Sequence, residues 1–177
     1  NAMDAATNGA EIRTRSTLLN ATREDKTWQL TLLDKASNKE FQINAKVLNN
    51  ASGPWLDDLL NHISHTDTKE HIRMVNGSHI IVNNRFDHDR PYIFQNEDGR
   101  IIFAIPYENK FTLIGTTDQD FHGNPDQVDI SAEETEYLCK AASEYFLQEI
   151  RKEDVVSSFA GIRPLFDDGK SEAKAAT

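Results

Sequence analysis

Residues 92–115 read YIFQNEDGRIIFAIPYENKFTLIG, three apolar runs separated by two short polar connectors. NEDGR gathers turn-forming side chains ahead of a glycine, and ENK is just as short. Connectors of this length close antiparallel pairs, because a parallel pair needs a crossover of a dozen or more residues. IRMVNGSHIIV precedes this stretch, and DVVSSFAGIRPL follows later as one more strand ending at Arg163. These runs predict one larger, mostly antiparallel sheet.

The first third predicts a smaller one. Strand-like runs fall at about 10–22, 26–34 and 39–50, linked by REDK and KASN. Trp28, Leu30 and Leu32 alternate with polar neighbours, as do Phe41 and Ile43, so a three-strand antiparallel meander is expected. In ASGPWLDDLLNHI a strand turns into a helix. Ser52 is placed to cap it, Gly53 permits a tight turn, and Pro54 suits the first helical position. Trp55, Leu56, Leu59, Leu60 and Ile63 form its apolar face, and SHTDTKEH follows as a loop.

The clearest helix is expected over 131–150. Ser131 and Glu134 form a capping box, and acidic residues fill the first turn. Tyr137, Leu138, Ala141, Ala142, Tyr145, Phe146 and Ile150 share one face, which makes its aromatic residues core packing. The resulting fold class is α+β: a small three-strand meander, plus a larger sheet backed by a helix.

The ends read as cut. Residues 1–3, NAM, look like a cleavage scar and a start methionine, and MDAATNGAEI reads as a last helical turn stopped at Asn8-Gly9. The tail DDGKSEAKAAT has no cap or closing strand, so the chain reads as an excised piece whose uncovered sheet edges invite homodimerisation. With 19 basic and 29 acidic residues the net charge is -10, which disfavours nucleic acid as a partner. The single cysteine, Cys139, excludes a disulfide framework and a cysteine-based zinc site within the chain, and its helical setting makes it a buried, inert thiol. No apolar run approaches the roughly 18 residues of a spanning helix.

Several residues could carry chemistry. The glycines at 9, 53, 77, 99, 115, 123, 161 and 169 never fall as G-x-G, so the dinucleotide fingerprint is absent, and so is a Walker loop. His62, His65 and His71 share one loop but lack a carboxylate at tight spacing, so no metal site is expected. His79 follows two small residues in an apolar strand. It is either a satisfied core histidine or a general base or hydrogen-bond donor in a cleft, with Gly77 and Ser78 leaving room for a ligand. IGTTD at 114–118 is either a plain strand-end turn or a polar site wall. Arg163 sits in FAGIRPLFDD, where it either snorkels to pair with Asp167 or Asp168 or presents its fork to a carboxylate or phosphate.

In order along the chain stand NNASGPW, NGSHIIV, YIFQNEDGRIIFAIPY, FTLIGTTD and GIRPL. Across residues 4–168 this succession resembles the quinone-linked, FAD-dependent glycerol-3-phosphate dehydrogenases, within the wider superfamily of FAD-dependent amine and hydroxy-acid oxidases. The resemblance implies a parent enzyme that oxidises sn-glycerol 3-phosphate to dihydroxyacetone phosphate by hydride transfer to FAD, with electrons passed to quinone. It implies a cytoplasmic protein, peripheral at the inner face of the cell membrane, that touches the membrane through parts outside this chain. Residues 4–63 would be the rear of the FAD domain, 64–163 the substrate-binding cap and 164–177 a return towards the FAD domain. By itself the piece would be inactive and would not hold FAD. Ala51, Ser52 and Gly53 match a flavin-contacting segment whose usual threonine is here Ser52. His79 matches a substrate-facing histidine, with Gly77 and Ser78 beside it, and Arg163 matches an arginine that grips the substrate phosphate.

Overall fold

The computed structural model describes residues 1–61, 63 and 72–167. The chain divides into two compact units, Asn1–Glu70 and His71–Thr177. The loop expected over 64–71 and the trio His62, His65 and His71 lie outside the described residues.

The first unit begins with helix α1 (Ala2–Thr7), and Gly9 takes a φ of +92°, as the expected stop at Asn8-Gly9 requires. Three antiparallel strands follow in the order β1 (Ser16–Glu24), β2 (Thr27–Asp34), β3 (Lys39–Ala45). β1 starts later than the sequence suggests because Arg15 adopts a φ of 54°, which breaks the extended chain, while its carbonyl accepts from Lys35 N. β3 ends sooner, at Ala45, although Leu48 still packs on the core. The alternation places Trp28, Leu30 and Leu32 over one face, where Ala21, Leu30 and Ile63 are buried. A 3-10 turn (Gly53–Trp55) leads into helix α2 (Leu56–Asn61). Ser52 does not cap it. Its hydroxyl donates instead to Asn50 Oδ1 at 2.6 Å. Leu60 and Ile63 reach the core as expected, but Trp55 is 42% exposed.

The second unit is built on a long strand, β4 (Ile72–Asn83). The hairpin run becomes β5 (Tyr92–Gln95), β6 (Ile101–Tyr107) and β7 (Phe111–Gly115), with Gly99 at φ +80° in the first turn and Glu108 and Asn109 at positive φ in the second. A short strand that the sequence does not announce, β8 (Gln119–Asp120), continues along the edge of β4 that β7 occupies. Strand β9 (Val155–Phe166) covers the other edge and runs three residues past Arg163. Every pairing in this six-stranded sheet is antiparallel, and the α+β class holds.

Helix α3 (Ala132–Ser143) packs on one face of the sheet, burying Leu138, Ala141 and Ala142 against Ile80, Val82 and Ile114. Both bonds of the capping box are present. The helix stops at Ser143 rather than 150. Ser143 Oγ donates to Cys139 O and accepts from Ile150 N, each at 2.7 Å, so the side chain competes with the helical ladder. The aromatic residues beyond it still pack: the Tyr145 ring stacks on Phe94 with centroids 4.1 Å apart. Cys139 is buried as expected, and burial pushes its thiol pKa up. Among the described residues no helix is long and apolar enough to cross a membrane.

Candidate functional site

Because side chains alternate along a strand, β4 serves two faces. Asn76, Ser78, Ile80 and Val82 point to the α3 side, where all four are buried. Gly77 and His79 point to the opposite face. The pairing register sets Phe103, Gly115, His79 and Phe159 in one row across four strands. Phe103 is 39% exposed and Phe159 is 48% exposed, so the row is an open apolar floor.

His79 lies flat on that floor. Its ring stacks on Phe159 with centroids 4.8 Å apart and planes at 10°. Gly115 makes this position available, since a Cβ there would stand 2.7 Å from His79 Cγ. The Nδ1 atom is buried with no hydrogen-bond partner among the described residues. Burial, and then the positive charge of Arg163, push the imidazole pKa below its ordinary value, so the ring is neutral near pH 7.

Arg163 reaches the same face from β9. It starts opposite Val75 and lays its guanidinium over Gly77, where a Cβ would stand 2.6 Å from Cζ. Its ion-pair partner is Asp118, and Asp168 lies outside the described residues. Nη1 donates to Asp118 Oδ1 at 2.8 Å and to Thr117 O at 3.3 Å, and Nη2 donates to Thr116 Oγ1 at 2.8 Å. IGTTD is thus a polar wall along the arginine rather than a plain turn. The Arg163 guanidinium fills the space over Gly77.

Contrary to what its place in the sequence suggests, Ser78 does not leave room for a ligand beside His79: its hydroxyl is buried on the α3 side and donates to Glu134 Oε1 at 2.9 Å. The strand's alternation sends it there. Thr117 Oγ1 donates to the same oxygen at 2.6 Å and Asn76 Nδ2 at 3.1 Å, while Ser131 N donates to Oε2 at 3.0 Å. Glu134 is 2% exposed and makes no ion pair among the described residues. Burial raises its pKa, but the donors from Ser131, Thr117 and Ser78 outweigh this and hold the carboxyl below its usual range. Sequence reasoning saw Glu134 only as half of a capping box. Nothing local distinguishes a capping carboxylate that also reaches into a sheet.

In the first unit, Ala51, Ser52 and Gly53 form a tight turn braced by Asn50 Oδ1, which accepts from Ser52 N at 3.1 Å and from Ser52 Oγ. Gly53 has a φ of +59°, and a Cβ built on it meets nothing within 4 Å. The backbone is therefore open to a flat group lying against it, and Asn50 Nδ2 and Asp57 Oδ1 are buried there without partners among the described residues. A flavin edge fits these features.

The family model for FAD dependent oxidoreductases matches residues 1–174. Over its whole length the chain is 41% identical to a glycerol-3-phosphate dehydrogenase of Pseudomonas aeruginosa, covering 34% of that protein. It is 38% identical to the D-erythritol 1-phosphate dehydrogenase of Brucella abortus and 35% identical to the aerobic glycerol-3-phosphate dehydrogenase of Escherichia coli, covering 35% of each. The chain thus spans about a third of the length of these relatives. The solved glycerol-3-phosphate dehydrogenase from Bacillus halodurans, complexed with FAD, superposes with a TM-score of 0.79 at 30% identity, covering 92% of this chain and 33% of that one.

Proposed function

The chain belongs to the FAD dependent oxidoreductase family, and from that we propose that it carries the substrate-recognition sheet of an enzyme oxidising sn-glycerol 3-phosphate to dihydroxyacetone phosphate. The observation that carries this reading is the pairing of Arg163 and His79 on one open apolar face. An always-charged fork recognises a phosphate dianion, and a neutral imidazole accepts the proton of a secondary hydroxyl. The second unit is then the substrate-binding part, and Asn1–Glu70 belongs to the flavin-binding part. Isolated from the rest of such a protein, the chain is proposed to be inactive.

Ala51, Ser52 and Gly53 would hold FAD by their backbone turn. When bound, the flavin supplies a two-electron acceptor for the hydride on the substrate's carbinol carbon. Arg163 binds and orients the phosphate end of the substrate. His79 takes the hydroxyl proton at Nε2, since Nδ1 is closed off within the protein. The floor of Phe103 and Phe159 keeps water away from the reacting end. Quinone as the next electron acceptor, and a cytoplasmic protein peripheral at the inner face of the cell membrane, belong to the same proposal, supported by the relative named as aerobic.

The similarity to a D-erythritol 1-phosphate dehydrogenase favours a second reading, in which the substrate is a longer polyol with the same terminal phosphate. Dye reduction by the complete flavoprotein, with each ester and with Arg163→Ala, tests both. The variant is expected to raise KM for the preferred ester at least about tenfold. A wild type that holds flavin yet oxidises neither ester overturns the substrate and leaves an amine or hydroxy-acid oxidase. One that holds no flavin is a binding module.

A further inference from the structure

Thr116, Thr117 and Asp118 join β7 to β8 along one edge of β4, and they divide their side chains between the two faces of the sheet. On the open face, Thr116 Oγ1 and Asp118 Oδ1 accept from Arg163. On the α3 face, Thr117 Oγ1 accepts from Ser78 N at 2.9 Å and donates to Glu134 Oε1. A guanidinium has five N–H groups. The 116–118 segment takes both on Nη1 and one on Nη2. Nε–H and the remaining Nη2–H carry no hydrogen bond among the described residues. Nε and Nη2 flank one edge of the planar fork, the edge that grips an oxyanion with two parallel bonds.

The direction of that free edge follows from where the segment holds the other donors. The segment in turn is fixed from behind by one buried carboxylate. Glu134 accepts from Asn76, Ser78 and Thr117, side chains on two stretches of chain, β4 and the 116–118 segment. Only an acceptor suits this position. A glutamine would turn N–H groups towards other donors.

We propose that Glu134 is a positioning residue for anion binding by Arg163, acting through Thr117 to fix the 116–118 segment and with it the direction of the free guanidinium edge. This rests on the reading of Arg163 as the phosphate-binding group. Glu134 itself lies on the opposite face of the sheet from Arg163 and His79. Were it only a helix cap, its loss would lower stability without selectively weakening an anion. As a positioning residue, it changes phosphate affinity and KM more than kcat.

The test uses the complete flavoprotein, with inorganic phosphate as the calorimetric probe and sn-glycerol 3-phosphate for KM and kcat. Glu134→Gln and Thr117→Val are each expected to raise the phosphate Kd about tenfold. Thr117→Ser, which restores the hydroxyl, returns it to near the wild-type value. Ser131→Ala removes the cap but leaves the backbone donor to Glu134, and it keeps the wild-type Kd. If Glu134→Gln does not fold, Thr117→Val against Thr117→Ser decides. A folded Thr117→Val protein with unchanged Kd, or a Ser131→Ala protein that reproduces the loss, overturns the role of Glu134 and leaves the Arg163 reading standing. A wild type that neither binds phosphate nor oxidises the ester removes the Arg163 reading, and this inference with it.

Discussion

The guanidinium of Arg163 occupies the place where Gly77 would carry a side chain. Val75 is the residue paired with Arg163 across the strands, and Gly77 pairs with Gly161, so the arginine leans two register positions along the sheet, to the next pair on the same face. A strand-interior glycine is ordinarily a weak point. Here it opens room for the guanidinium, whose far end is held by Thr116 and Asp118.

Gly77→Ala is therefore expected to displace Arg163 without unfolding the sheet. The clash is with the far end of a flexible side chain, so stability changes by no more than about 1 kcal/mol. Phosphate affinity falls about tenfold as the fork swings away. Thermal melting and phosphate titration of the same protein check this, and an unchanged Kd would show that the arginine does not need the glycine.

Gly115→Ala acts on a stiffer neighbour. The His79 ring is stacked on Phe159 and cannot swing aside freely. Overpacking of this kind costs about 1–3 kcal/mol. In a His79→Ala background the same change should cost little, which a double-mutant cycle by urea unfolding reads directly. Equal costs in both backgrounds would assign the strain to the backbone.

The pH dependence of stability isolates His79. Its folded pKa lies below the ordinary 6.5, so the unfolded chain binds the proton more readily. The histidine's contribution is fully present above about pH 6.5 and is lost as pH falls from there through the folded value. His79→Phe keeps a ring on Phe159 and removes the titration. The wild-type urea midpoint should drop more steeply than the variant's between pH 7 and 5, and parallel curves would contradict the assignment.

Cys139 should resist a thiol reagent in the native protein and react fully after denaturation. It is 4% exposed, and its raised pKa keeps the thiolate scarce. Rapid native labelling in an absorbance assay would show that α3 detaches from the sheet.

Much of the fold was legible because its signals are local. NEDG and ENK closed the β5–β7 meander, with Gly99 and Asn109 among the residues at positive φ. Ser131 and Glu134 began α3 where expected. The helix end was not legible, because Ser143 diverts its hydrogen bonds to Ile150 through a turn that no periodicity reveals. Ser52 likewise resembled a cap, and Asn50, two residues back, took its hydroxyl.

The sequence by itself determined every strand but β8, the antiparallel sense of the hairpin runs, and which residues could carry charge or a proton. It named Arg163 and His79 but left two readings open for each. Tertiary structure alone decided that both lie on one face, that Ser78 lies on the other, and that Asp118 holds the arginine. The reason is physical. Alternation fixes a side chain's face only relative to its own strand, while the register between β4, β7, β8 and β9 decides which faces meet. That register brings Glu134, Thr117 and Ser78 together across 56 positions of chain, through contacts that have no signature in the linear order.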